Sequence, residues 1–158
     1  RYGEEKFGTR IARAIISQRA EKPITTTAHL AQIITDAKPV KEKNKHPATK
    51  VFQAIRIFIN KELEDLETFL ARSLDVLEVG GRLVVMSFHS LEDRLVKSFM
   101  RDMSIGEKMP AEIPVMSSEI DKSKRLKVIT KAIKPHTNEI DVNVRARSAF
   151  LRIGEKLR

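Results

Sequence analysis

The sequence contains no cysteine, which excludes disulfides and thiolate zinc sites together. Its four histidines are scattered and form no H-x-x-x-H pair, so metal chemistry is not expected. It also lacks any apolar run near the ~20 residues that a membrane helix needs. No charged-then-apolar leader opens it, and the expectation is a cytoplasmic setting without a membrane partner. Glycine is sparse: Gly3, Gly8, Gly80, Gly81, Gly106 and Gly154 nowhere form G-x-G-x-x-G. Ser87 stands in no G-x-S-x-G elbow and no acid has motif spacing to His89, so serine hydrolysis is not supported.

What is abundant is positive charge. Thirty Lys and Arg against twenty-one Asp and Glu leave a net charge of +9, which favours a polyanionic partner, with nucleic acid as the natural candidate. Residues 122 to 158 carry eleven of these cations but only three acids, Glu139, Asp141 and Glu155. A second basic stretch joins Lys38, Lys41, Lys43, Lys45 and Lys50, with Glu42 as its one acid. With 41% hydrophobic and 32% charged residues the chain reads as globular, and its 158 residues suffice for a respectable core.

Along the chain, Phe7, Ile11, Ala14 and Ile15 recur at helical steps between Glu4 and Ala20, with Pro23 as the stop. Thr27 is the expected N-cap of a second helix burying Leu30, Ile33 and Ile34. His46-Pro47 starts a third helical region. Its stripe of Phe52, Ile55, Ile59, Leu63, Leu66, Leu70, Leu74 and Leu77 predicts one long helix, or two in line, over 51 to 78. After Gly80-Gly81, the continuous apolar run Arg82 to Phe88 reads as an interior parallel strand buried on both faces. Ser90-Leu91-Glu92-Asp93 resembles a capping box with Asp in the usual Glu place, opening a helix with Leu91, Leu95 and Phe99 on one side. Residues 104 to 124 read as a long mobile connection. Lys127 to Ile133 and Ser148 to Ile153 read as strands in a terminal hairpin, with turn material over 134 to 146. The order implies an α/β fold, half of a doubly wound sheet. Arg1 opens inside a helical pattern without a cap, so the chain reads as truncated, with the missing strands before Arg1.

Two stretches carry a resemblance: His46-Pro47-Ala48-Thr49-Lys50-Val51-Phe52-Gln53-Ala54-Ile55-Arg56-Ile57-Phe58-Ile59-Asn60-Lys61-Glu62-Leu63 and Gly80-Gly81-Arg82-Leu83-Val84-Val85-Met86-Ser87-Phe88-His89-Ser90-Leu91-Glu92-Asp93-Arg94. Both resemble signature segments of the bacterial 16S ribosomal RNA (cytosine-N4)-methyltransferase family. Tyr2-Gly3-Glu4-Glu5-Lys6-Phe7 and Arg145-Ala146-Arg147-Ser148 fit the same family. The resemblance covers nearly the whole chain. It implies the C-terminal half of a class I, Rossmann-like methyltransferase sheet interrupted by an inserted all-α domain. Residues 1–58 would then belong to the inserted substrate-recognition domain and residues 59–158 to the C-terminal half of the methyltransferase domain. The implied reaction takes a methyl group from S-adenosylmethionine to the exocyclic N4 of a cytidine in the decoding region of 16S rRNA. The family's glycine-rich cofactor loop has no counterpart here, so no residue is assigned to the cofactor, and weak or no S-adenosylmethionine binding is expected of this chain alone.

Ligands of open α/β folds bind outside the carboxyl ends of the strands, which makes His89 the leading site residue and Ser87 the second, with Phe88 shaping the pocket. The competing account has Ser90 cap the next helix while His89 bonds the turn. Asn60 and Arg56 lie one turn apart, off the apolar stripe, where Asn60 would meet a base edge and Arg56 a phosphate; a solvated or locally paired face is the duller alternative. His46, Thr49 and Lys50 are candidate RNA contacts, His46 doubling as a helix-start residue. Arg145 and Arg147 are candidate phosphate contacts, whereas Lys127 and Lys131 fit plain solvent exposure. An autonomous RNA-binding module without chemistry is the alternative reading, a purely structural helical partner domain a third. Oligomeric state stays open.

Overall fold

The computed structural model describes residues 2–40, 46–106 and 123–158, which form two compact units meeting in sequence at Glu62. The first unit is helical: α1 (Gly8–Glu21), α2 (Thr27–Ala37) and α3 (Thr49–Asn60). Its core joins Ile11, Ile34, Ala37 and Ala48, with Phe7, Ala14, Ile15, Leu30, Val51 and Phe52 packed around them. The first helix starts later than its apolar pattern suggests. Glu4 is left-handed (φ 47°), and the Glu5 side chain and carbonyl take the amides of Phe7 and Gly8 in a turn. Thr26, not Thr27, caps α2, its Oγ1 accepting the His29 amide at 3.2 Å. Pro47 likewise precedes α3 in a turn, where the His46 carbonyl takes the Thr49 amide.

The long apolar stripe divides. Lys61 adopts a left-handed conformation (φ 53°, ψ 30°), ending α3 and starting α4 (Glu62–Val76). On α3 the buried residue is Ile57, while Ile59 of the expected stripe is 69% exposed. The stripe is kept on α4, where Leu70 and Leu74 are buried.

The second unit continues through β1 (Arg82–Ser87), α5 (Ser90–Ile105), β2 (Leu126–Val128), α6 (Thr137–Val142), a 3-10 turn (Val144–Ser148) and β3 (Phe150–Lys156). The sheet order is β1-β3-β2, both pairings antiparallel, so β1 and β2 run the same way on either side of β3. Leu70, Leu74, Leu83, Val96, Met100 and Leu126 make its core. Gly154 is pressed against Leu126, whose Cδ2 would lie 2.5 Å from any added Cβ.

Arg82 to Phe88 was expected to be an interior parallel strand buried on both faces; within the described residues it is an edge strand paired antiparallel to β3. Leu83 and Ser87 turn inward, while Val84 and Met86 on the opposite face are 54% and 56% exposed. A continuous apolar run does not reveal which face has a covering layer, and here only one face is buried. The terminal pair is antiparallel as expected but is no tight hairpin. The first strand is cut short: after Ile129 the chain leaves the ladder, returning only where Ile133 bridges Leu151. The second lies two to three residues later than its β-branched content suggested. The stretch 134 to 146 holds α6, a helix without a buried residue and therefore without an apolar period to announce it. Of the connection expected over 104 to 124, residues 107–122 lie outside the described residues, and α5 runs through Ile105. Among the described residues no helix is long and apolar enough to cross a membrane.

Candidate functional site

The carboxyl end of β1 gathers most of the second unit's candidates. Because β3 is antiparallel to β1, Ser87 pairs with Phe150, and the turn carrying Arg145 and Arg147 arrives at the same end of the sheet as Phe88 and His89. Lys134 joins them, its Nζ 5.5 Å above the Phe150 ring. Phe88 is 53% exposed. Arg145 and Arg147 are exposed, with no side-chain ion pair among the described residues. Their backbone is fixed by Asn143, whose Oδ1 accepts the Arg145 amide at 3.1 Å.

His89 caps α5. Its Nδ1 accepts the Glu92 amide at 3.2 Å, and the Glu92 carboxylate returns to the amides of Phe88 and His89 at 2.8 and 3.3 Å. The capping box is thus shifted one residue from its sequence reading: His89 is the cap, Glu92 its partner, and Ser90 the first helical residue. Accepting at Nδ1 commits the neutral ring to a proton on Nε2. That nitrogen is buried without a hydrogen bond, although Glu92 Oε1 stands 3.3 Å away. The Ser87 hydroxyl is also turned inward, donating to the Phe150 carbonyl at 3.4 Å. Two of the three candidates expected at the chemistry therefore hold the strand-to-helix turn in shape, and Phe88 is the one of that tripeptide open to solvent.

The third, Asn60, sits in the first unit beside Arg56, and both are tied to Glu62. The guanidinium makes a two-pronged pair with the carboxylate at 2.7 and 2.9 Å, and Asn60 Nδ2 donates to the same group at 3.3 Å. His46 Nδ1 accepts the Ala48 amide at 3.2 Å, making it the helix-start residue of α3, and Thr49 is the exposed first residue of that helix. The Lys50 carbonyl lies so close to Gly3 that a Cβ there has no room.

Several long-range ion pairs had no signal in the sequence, Lys38–Glu5 and Arg152–Asp93 among them. Lys38, counted there among the basic patch, is buried: its Nζ meets Glu5 Oε2 at 2.9 Å and the Pro47 carbonyl at 3.3 Å. Burial alone would raise the Glu5 carboxyl, but the hydrogen bonds from Lys38 and the Phe7 amide, with the charges of Lys38 and Lys50, hold it below its ordinary value. In the second unit Arg152 grips Asp93 at 2.7 and 2.9 Å, fastening β3 to α5. Separations of 33 and 59 residues leave no spacing signal for either pair.

A family model described as the MraW methylase family matches residues 1–157. Curated relatives bear the name ribosomal RNA small subunit methyltransferase H. The one from Pseudoalteromonas atlantica is 58% identical over 156 residues, covering 99% of this chain and 50% of the relative. That of Legionella pneumophila strain Paris matches at the same 58% over 156 residues. The Chromohalobacter salexigens protein is 53% identical over 158 residues, 47% of its length. The chain thus spans about half the length of the curated relatives it matches.

Proposed function

This chain belongs to the MraW methylase family, and from that membership we propose that it is the sheet-completing, substrate-facing part of a methyltransferase acting on small-subunit ribosomal RNA. The reaction is transfer of a methyl group from S-adenosylmethionine to the exocyclic N4 of a cytidine in the decoding region of 16S rRNA, in the cytoplasm. Residues 1–58 are assigned to an inserted helical substrate-recognition domain and residues 59–158 to the C-terminal half of a Rossmann-like methyltransferase domain. The edge of β1 that carries no strand among the described residues is where the remaining strands of such a sheet would join.

Cytosine N4 is a poor nucleophile because its lone pair is delocalised into the ring. The enzyme's task is alignment, holding that nitrogen at ~3 to 3.5 Å from the methyl carbon. The base must leave its stack, and single-stranded RNA is read by stacking and base-edge contacts. The observation that carries the reading is the carboxyl end of β1, the end of the sheet at which the exposed Phe88 and the turn bearing the exposed Arg145 and Arg147 both lie. Phe88 supplies a stacking face for the flipped base, and Arg145 and Arg147 take backbone phosphates. His89 and Ser87 act as positioning residues that fix Phe88 through the cap and the Phe150 carbonyl. From the helical unit, Asn60, Arg56, His46, Thr49 and Lys50 serve the RNA.

The residues present do not fit the cofactor. Gly80 and Gly81, the pair at a strand end, are spent on the entry to β1, exchanging backbone bonds with Lys156 at 2.8 and 2.9 Å. The S-adenosylmethionine site is therefore assigned to the part of the longer relatives that this chain does not span, and no step is drawn through it. The test is methyl incorporation from labelled S-adenosylmethionine into small ribosomal subunits, comparing the full-length product of the parent gene with the 158-residue chain. Incorporation at cytidine N4 by the first alone supports the proposal. Methylation at another atom overturns the substrate assignment, and micromolar cofactor binding by the 158-residue chain overturns the division between the halves. RNA binding by both proteins with methylation by neither favours the binding-module alternative.

A further inference from the structure

The helical unit carries a cationic face that the site above does not use. Arg10 and Arg13, three residues apart, lie on one side of α1, and Lys6 lies in the turn that leads into it. The opposite register of the same helix, Phe7, Ile11, Ala14 and Ile15, faces the core. All three cations are exposed, and none has an ion pair or side-chain hydrogen bond among the described residues. Of the acids nearby, Glu5 is held by Lys38, and Asp36, which lines the α1–α2 groove with Arg10, accepts from Gln32 at 2.8 Å and makes no ion pair with Arg10.

The arrangement works against the fold. Like charges three and four residues apart repel, and cations in the first turn oppose the helix dipole. α1 has neither an acid in its first turn nor a side-chain cap to offset them. At ~1.5 Å rise per residue Arg10 and Arg13 stand about 4.5 Å apart along the axis, with Lys6 in the turn before them. A nucleic acid duplex presents about one phosphate charge per 1.7 Å of axis, so such a face meets several phosphates together.

The geometry points to Lys6, Arg10 and Arg13 as a further RNA-backbone contact, carried by the helical unit, that docks the phosphates of the substrate rRNA without reading its sequence. This rests on the RNA-substrate reading above. Three neutralised phosphates account for a salt slope, d log K/d log[salt], of about −2 to −3.

The test compares binding of the full-length protein to fluorescently labelled small-subunit rRNA across a salt series for three forms. They are wild type, the triple variant Lys6→Gln, Arg10→Gln, Arg13→Gln, and a control triple, Arg19→Gln, Lys22→Gln, Lys97→Gln, that removes three exposed cations elsewhere. The first triple is expected to weaken binding at least tenfold and flatten the slope by about 2 to 3, with an unchanged or raised Tm. The control should move the slope by less than one. Equal losses in both triples mean net charge alone acts, which overturns the proposal, as does an unchanged first triple. A first triple with lowered Tm and normal affinity assigns the residues to folding and overturns it too. Wild type that binds no rRNA at low salt sinks the RNA-substrate reading itself, a result distinguishable from all of these.

Discussion

The Glu5 carboxylate and the Lys38 ammonium meet at 2.9 Å with side chains only 8% and 4% exposed. Burying two charges offsets much of what their attraction gains, but stranding one of them is worse. Lys38→Met should therefore lower the stability of the helical unit by about 3 kcal/mol. Adding Glu5→Gln should recover most of that loss, since Gln keeps an oxygen for the Phe7 amide; denaturant melts of the single and double variants check both. The pH dependence has a definite sign. Because the folded carboxyl sits below its ordinary value of 4.5, the pair's contribution is complete above that pH and is lost as pH falls through the folded value. Glu5→Gln should flatten this acid limb in a circular-dichroism titration; a limb unchanged by the substitution refutes the assignment.

At the level of elements, α5 depends on a histidine cap. His89→Ala should cost about 1 kcal/mol, and Glu92→Ala added to it should cost less than its share, because the two halves of the box support each other. His89→Asn restores a cap without an imidazole. If His89 acts only by positioning Phe88, Asn in the full-length protein recovers both Tm and the methyl transfer proposed for it. Recovered Tm with turnover still absent would instead put the ring in contact with substrate. Lys61 offers a second check: an L-residue in the left-handed region carries roughly 1 to 2 kcal/mol of strain, so Lys61→Gly should hold or raise Tm and Lys61→Val should lower it. The helices were legible because their faces repeat at the right period. The break at Lys61 was not, since a residue with no special freedom occupies it. The β1 segment was legible as a strand from its apolar run, but its partner and direction depend on β3, more than sixty residues on, which no local pattern encodes. The end of β1 was legible as a strand-to-helix turn, but the roles of its side chains were not. Nothing in Ser87-Phe88-His89 tells which side chains turn inward until the Glu92 and Phe150 contacts exist.

For the molecule as a whole, charge and edge pull in different directions. A net charge of +9 disperses copies of the chain, yet the second unit shows Val84 and Met86 on one sheet face and a β1 edge with no second strand among the described residues. An open edge flanked by exposed apolar side chains is a template for pairing. As salt screens the repulsion, that template should prevail. The 158-residue chain is therefore expected to sediment as a monomer in dilute low-salt buffer and to associate as concentration and ionic strength rise. Val84→Lys with Met86→Lys should suppress the association without unfolding the unit, because neither side chain reaches the core of Leu70, Leu74, Leu83, Val96, Met100 and Leu126. On the proposed division of the sheet, co-expression with the half of the Pseudoalteromonas atlantica relative that this chain does not cover should suppress it as well, by covering the β1 edge that is open among the described residues. Association that persists in the double variant would place the sticky surface elsewhere. Association that the double variant abolishes but the relative's half leaves untouched would separate the exposed face from the proposed sheet partner.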